Sequence, residues 1–359
     1  MLSRCAVMCS FVPLVALLLI RSLPTPACCP AGPAGKHVVN ADQTVVMIWD
    51  AARKTQHFIR QASFKSDADD IGFLVPTPTV PELEESGNDA FPLLAKVTAP
   101  EIRRVARPRG GAGCGCAAPP ESAPPPTSGA VAVLAEKRVA GFDAQVLEAT
   151  SAEALVQWLQ EHGYAFSPEV EAWAEPYVRD GWKITALKVA KDAARKDDPN
   201  FQASALRISF QTDRPLFPYR EPDPTESAKD LNVRQRLLRI FFIADSRYRG
   251  ELTPESPWTG RVAWSDKMNS ADRTKLLEQL KLPETTGPAE YWLTEFEDYW
   301  PYRAAPADVF FALDADQSIQ HRDPIILYVQ SRSGTDVSLA LLAAAVVGPL
   351  VWTRGRKKK

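Results

Sequence analysis

Leu237-Leu-Arg-Ile-Phe-Phe-Ile-Ala244 and Thr44-Val-Val-Met-Ile-Trp49 are the two stretches whose reading decides the fold. Both are apolar at consecutive positions, whereas a half-buried strand alternates. Side chains of a strand point to opposite faces in turn, so such runs belong to central strands covered on both sides. Residues 50–54 are short and polar, and Thr55 to Phe64 (TQHFIRQASF) follows with a less clean alternation, which predicts a hairpin. A third strand is expected over 72–75, ended by Pro76, Pro78 and Pro81, because proline cannot donate to a ladder. A short helix is expected over 89–96.

Further strands are expected over 130–147, turning at Ala140-Gly141, and over 182–189, where Trp182 opens the run. Leu206 to Gln211 alternates, and 309–313 and 325–329 close the sheet. Tyr291 to Trp300 suits a strand or a helix. Thr150-Ser-Ala-Glu153 reads as a capping box before Leu155, Val156 and Leu159, and Gly163 ends that helix. Ser167-Pro168 starts another, with Val170, Trp173, Ala174 and Tyr177 at helical spacing, a kink at Pro176 and a stop at Gly181. A surface helix is expected over 268–282. Strands in runs with single helices between them predict an α+β fold, mostly antiparallel sheet with short amphipathic helices.

The two ends speak of location. From Val337 to Trp352 there are 16 residues without a charge, followed by Arg354, Arg356 and three lysines. As a helix this run is about 24 Å long, short for a bilayer core but able to cross if Arg354 snorkels. The expectation is a single C-terminal transmembrane helix over 337–352, with a basic cytoplasmic tail over 353–359 and the body outside. Residues 1–27 read as a signal peptide cut after Ala27, with lipidation of Cys28 as an alternative. The expected location is thus the cell envelope, with membrane lipid as one partner.

Between these ends the exported part is expected to divide into a β-rich region over 28–106, a Pro/Gly/Cys-rich loop over 107–130, and an α+β region over 131–330. The chain's formal net charge is −2, and removing the basic ends leaves the body distinctly acidic. Phosphate backbones need concentrated positive charge, so a nucleic-acid partner is not expected. Cys28, Cys29, Cys114 and Cys116 remain after the signal peptide, an even number outside the cytoplasm. Two disulfides joining the CC pair to the CGC pair are expected, and a Zn or Cu(I) thiolate site is the competing reading.

Catalytic signatures are absent from the sequence. His37, His57, His162 and His321 are scattered, with no H-E-x-x-H, G-x-S-x-G or C-x-x-C. Asp67, Asp69 and Asp70 before Gly72 resemble the first half of a calcium loop, but its twelfth position is Pro78; Asp314 and Asp316 repeat the pattern with Ile325 there. Acidic turns are the plainer reading of both. Nine tryptophans raise sugar stacking, yet Trp158, Trp173, Trp182, Trp292 and Trp300 fall on expected core faces. No cofactor is expected. The function expected is a non-enzymatic binding or structural role toward a protein or glycan. An envelope hydrolase acting on peptide or glycan is the alternative, and it requires two or more of His57, Asp67, His321 and Asp323 to share a cleft.

Several phrases together resemble one family: Ala27-Cys-Cys-Pro30, NADQTVVMIWDAARKTQHFIRQASF from Asn40, GFLVPTP from Gly72, EPYVRDGWKITALKV from Glu175, LRISFQTDRPLFPYR from Leu206 and YWLTEFEDYW from Tyr291. In register across 27–313, they are similar to the bacterial domain of unknown function 2330. The resemblance implies exported bacterial proteins, often anchored, with no assigned catalytic residues to carry over.

Overall fold

The computed structural model describes residues 29–31, 43–60, 72–106, 131–164, 168–189, 204–222, 236–253, 258–300 and 307–329. Both deciding stretches are central strands. β2 (Gln43–Asp50) and β12 (Arg236–Ala244) lie side by side in parallel, Val45 opposite Ile240 and Met47 opposite Phe242. They centre a seven-stranded sheet in the order β14 (Arg261–Lys267), β15 (Trp292–Trp300), β12, β2, β3 (Thr55–Arg60), β10 (Ala205–Gln211), β5 (Glu82–Ser86). Every other pair in it is antiparallel.

A five-stranded sheet runs in the order β1 (Cys29–Ala31), β4 (Gly72–Thr77), β9 (Lys183–Val189), β8 (Phe142–Ala149), β7 (Val131–Val139). Alternation then builds the layers. Val45, Met47, Trp49, Phe58, Ile240 and Phe242 point from the large sheet into a core shared with Phe73, Val75, Phe142, Val146 and Leu187 of the smaller one. On the far face of the large sheet, Val46, Ile48, Ile59, Phe241 and Ile243 meet α1 (Ala90–Val97) and α4 (Ser270–Gln279). On the far face of the smaller sheet, Leu74, Leu147, Ile184 and Ala186 meet α2 (Ala152–Glu161) and α3 (Pro168–Arg179). The result is two packed sheets, each backed by two helices. A small sheet of β11 (Leu216–Phe217), β16 (Val309–Leu313) and β13 (Tyr248–Glu251) closes one side of the shared core.

This corrects the expected fold class. Among the described residues strands account for 48% against 19% for helix, and the helices there are four and short, so the protein is mostly β and not α+β. The expected helices exist, but as outer covers. Several strands escaped the pattern because they carry charge on one face or are brief: β5 (ELEES), β6 (Ile102–Ala106, IRRVA) and β14 (RVAWSDK). Residues 292–300 resolve as strand β15, in keeping with their aromatic content. The transmembrane helix of the expected fold class is not seen either. Among the described residues no helix is long and apolar enough to cross a membrane, and residues 337–352 lie outside them. The expected signal peptide over 1–27, the expected loop over 107–130 and the expected tail over 353–359 fall outside them as well.

Local details follow the chemistry. Ser151, not Thr150, caps α2 by accepting from the Ala154 amide at 3.1 Å. β4 continues through Pro76, where β9 is its partner and β1 has already ended. Gly87 sits against the Gln279 carbonyl so closely that any Cβ would collide with it, which lets the end of β5 meet the last turn of α4.

The helix-side face of β12 and β15 buries charge. Glu295 and Glu297 are almost wholly enclosed, and Arg322 reaches both at 2.7 Å, with Arg239 at 2.7 and 3.2 Å. Arg261 adds a contact to Glu297 at 2.9 Å. Arg322 thereby pins the root of a parallel two-stranded ribbon, β6 with β17 (Ile325–Val329). Ile102, Val105, Ile325, Ile326, Leu327 and Tyr328 of this ribbon are all exposed.

Burial alone would raise the Glu297 carboxyl, but Arg322 and Arg239 outweigh it and hold it below its usual value. Its contribution to stability is therefore present above about pH 4.5 and lost as pH falls through the depressed native value. Arg322→Met leaves two buried carboxylates short of a cation and should lower unfolding free energy by about 2–3 kcal/mol in urea titration at pH 7. The loss should shrink as pH falls through the depressed native value of Glu297, where that carboxyl accepts a proton.

Candidate functional site

The expected site residues that the structure describes are spread over separate elements. His57, in β3, has Nδ1 2.8 Å from Ser209 Oγ in β10, directly across the ladder. His321 places Nε2 3.0 Å from Asp266 Oδ2 and stacks on Trp264, while Asp323 is exposed. Asp67, Asp69 and Asp70, with Cys28, Cys114 and Cys116, lie outside the described residues, as do Val337, Trp352, Arg354 and Arg356. Cys29 contributes backbone to β1. Asp314 and Asp316 both face the buried guanidinium of Arg247, at 3.4 and 3.2 Å, so an arginine takes the place of the calcium ion their spacing suggests. Trp158, Trp173 and Trp292 are buried in the cores.

A Ser–His contact at this distance is the first half of a nucleophilic centre, so its surroundings matter. Ser209 lies mid-strand, paired with His57 on one side and Glu82 on the other. Among the described residues, the backbone beside Ser209 belongs to that ladder on both sides and not to a loop of free donors such as an oxyanion hole uses. Burial first, and the nearby Arg207 charge second, lower the His57 pKa to about 4, although Asp50 pulls the other way. A neutral imidazole bridging two strands is the consequence.

An open cleft of about 660 Å³ forms where two sheet edges meet. β5 ends the large sheet and β7 ends the smaller one, and Lys137 Nζ ties them by donating to the Leu83 carbonyl at 2.7 Å. The lining is Glu84 and Glu85 from β5, Lys137 to Gly141 at the β7–β8 turn, Arg207 from β10 and Lys281 after α4.

Two of its walls are left-handed turns. Ala140 and Gly141, at φ 53° and 83°, join Val139 to Phe142 as a two-residue loop with both residues at positive φ, the type I′ pattern that matches strand twist. Lys281, at φ 56°, follows the Leu280 cap of α4, with its amide on Glu278 O and the Leu282 amide on Leu277 O. That is the Schellman arrangement, in which glycine is the usual residue at this position.

Beneath the rim, Arg207 is buried. It pairs with Glu84 and donates to the Leu280 and Lys281 carbonyls at 3.3 and 3.2 Å, neutralising the carbonyl end of α4. Ser86 Oγ donates to the Leu280 carbonyl at 2.8 Å. On the rim, Lys281 meets Glu85 at 2.8 Å, with both side chains about half exposed. None of these lining residues stands in a sequence motif. The helix expected over 268–282 runs past Lys281, so nothing in the sequence points to the turn there.

A family model described as an uncharacterized protein conserved in bacteria (DUF2330) matches residues 24–311. The chain belongs to the DUF2330 family. Within this DUF2330 chain the match spans both sheets and every residue of the cleft. No curated protein matches it. Among solved structures, baculovirus P35 is similar at 8% identity over 79% of this chain and 96% of that one, with a TM-score of 0.32, too low to carry an argument.

His57 yields a pH prediction for this DUF2330 protein. Its proton is bound more weakly in the folded state, so stability is full above about pH 6.5 and falls as pH drops toward 4. At full extent the loss is about 3 kcal/mol. His57→Gln should flatten that part of the stability–pH curve, and an unchanged slope between pH 6.5 and 4 would contradict the assignment.

Proposed function

We propose that this chain is a non-enzymatic binding module of the bacterial cell envelope, its body exported and held near lipid, with its ligand taken into the cleft between β5, the β7–β8 turn and the end of α4. The observation that carries this reading is the cleft itself, an open, polar cavity set between two rigid sheet edges. Its shape is held by Lys137 on Leu83 and by Arg207 on Glu84 and the α4 carbonyls, so it exists without a ligand. Pre-formed sites avoid the ordering cost of binding.

The non-enzymatic half draws support from Ser209, which lies mid-strand, flanked by paired strands on both sides, and not on a loop or turn that would present it to a substrate. Placement near lipid draws on the sequence ends and on the ribbon, where six large apolar side chains are exposed in a ten-residue unit. An exposed parallel ribbon is unusual, since parallel strands are ordinarily covered on both faces. A nearby lipid surface is a fitting cover, with Tyr328 suited to the interface.

The test joins fractionation to an activity screen on the intact chain. The protein should be recovered with the envelope, and ester, peptide and glycan reporters should turn over no faster with it than with Ser209→Ala. Turnover lost in Ser209→Ala or His57→Gln would replace this reading with a hydrolase. Recovery from the cytosol would remove the envelope half.

A further inference from the structure

We infer that the cleft takes a phosphate-bearing ligand, held between the ammonium groups of Lys137 on the hairpin wall and Lys281 on the helix wall. This rests on the cleft being a binding site and adds the chemistry of what enters it.

Charge comes first. Four cations and two carboxylates line the cleft: Lys137, Arg138, Arg207 and Lys281 against Glu84 and Glu85. Arg207 and Glu84 neutralise each other below the rim, and the remaining groups leave a cationic mouth on an otherwise acidic body. Low-dielectric walls focus such a field on an incoming anion.

The kind of cation then selects the anion. A carboxylate is best met by a guanidinium fork, but the Arg207 fork is already spent on Glu84 and two carbonyls. Lys137 and Lys281 place one ammonium group on each wall, with Arg138 also in the lining, and this concentration of positive charge suits a phosphate carrying close to two negative charges. Lys137 is exposed and holds one backbone carbonyl, so its ammonium keeps further donor directions. Lys281 is paired with Glu85 in an exposed contact that contributes little and opens at small cost.

The backbone at Lys281 gives an independent reason. The Schellman position favours glycine, and a β-carbon there is strained. Nothing in the fold requires a side chain at this place: the Glu85 contact is exposed, and the cap is made by backbone amides. A lysine held in that conformation is accounted for by its charge at the mouth of the cleft.

That strain makes Lys281→Gly a discriminating variant, since it should fold at least as stably as the parent. With intact protein at low salt, calorimetric titration with inorganic phosphate and with glucose 6-phosphate should show binding to the parent. Lys281→Gly and Lys137→Met should each weaken it about tenfold or more, while the melting temperature of Lys281→Gly stays level or rises. Tighter binding of glucose 6-phosphate identifies a phosphorylated sugar as the source, and equal binding identifies the phosphate group alone. Phosphate affinity unchanged in Lys281→Gly overturns the inference. If glucuronate binds and phosphate does not, in a Lys281-dependent way, the ligand class is wrong and the binding reading stands. If none of the three probes binds, both fall.

Discussion

Parallel pairing between β2 and β12 is the constraint from which the other layers follow. The two strands are far apart in the chain and, being parallel, cannot be joined by a tight turn, so their pairing ties together distant parts of the sequence. Being apolar on both faces, the pair must be covered on both. One face is met by the smaller sheet and the other by α1 and α4. Antiparallel partners then extend outward, β15 and β14 on one side, β3, β10 and β5 on the other. The sheet stops at β5 because its exposed glutamates blunt the edge.

Where that growth stops, polar chemistry begins. On one flank, Glu295 and Glu297 are enclosed by guanidinium groups, which converts a liability of burial into a fixed attachment for the ribbon. On the other flank, the acidic edge of β5 faces the basic end of β7, and the cleft lies between them. The same buried arginine, Arg207, satisfies a carboxylate and caps a helix, so the site's floor is fixed by fold-level needs while its rim lysines are left to a ligand. Lys281 on the rim carries no such structural burden, since its side chain meets Glu85 in an exposed contact.

The central strands were legible because a short run of consecutive apolar residues fits a strand covered on both faces, and Val45 to Trp49 with Ile240 to Ala244 are indeed buried throughout. Gly163, Gly181 and the Ala140-Gly141 turn were equally plain, since each marks a chain reversal with local chemistry. The balance of classes was not. Periodicity finds α1 to α4 correctly but gives no weight to charged edge strands such as β5, whose partner supplies the pattern that their own residues lack. The cleft escaped for a related reason: Glu84, Lys137, Arg207 and Lys281 come from four separated segments, and only the register of the sheets brings them together. His57 was visible as a candidate, but Ser209 as its partner depends on a cross-strand alignment that no spacing encodes.

Amide hydrogen exchange on the intact protein tests the central pairing most directly. Buried central strands exchange only through global unfolding, whereas exposed ribbons open locally. The account predicts that amides of 43–50 and 236–244 exchange together and last, with one common opening free energy, and that those of 102–106 and 325–329 exchange well before them. Exchange of 43–50 as fast as the ribbon, or at a rate unrelated to that of 236–244, would contradict it.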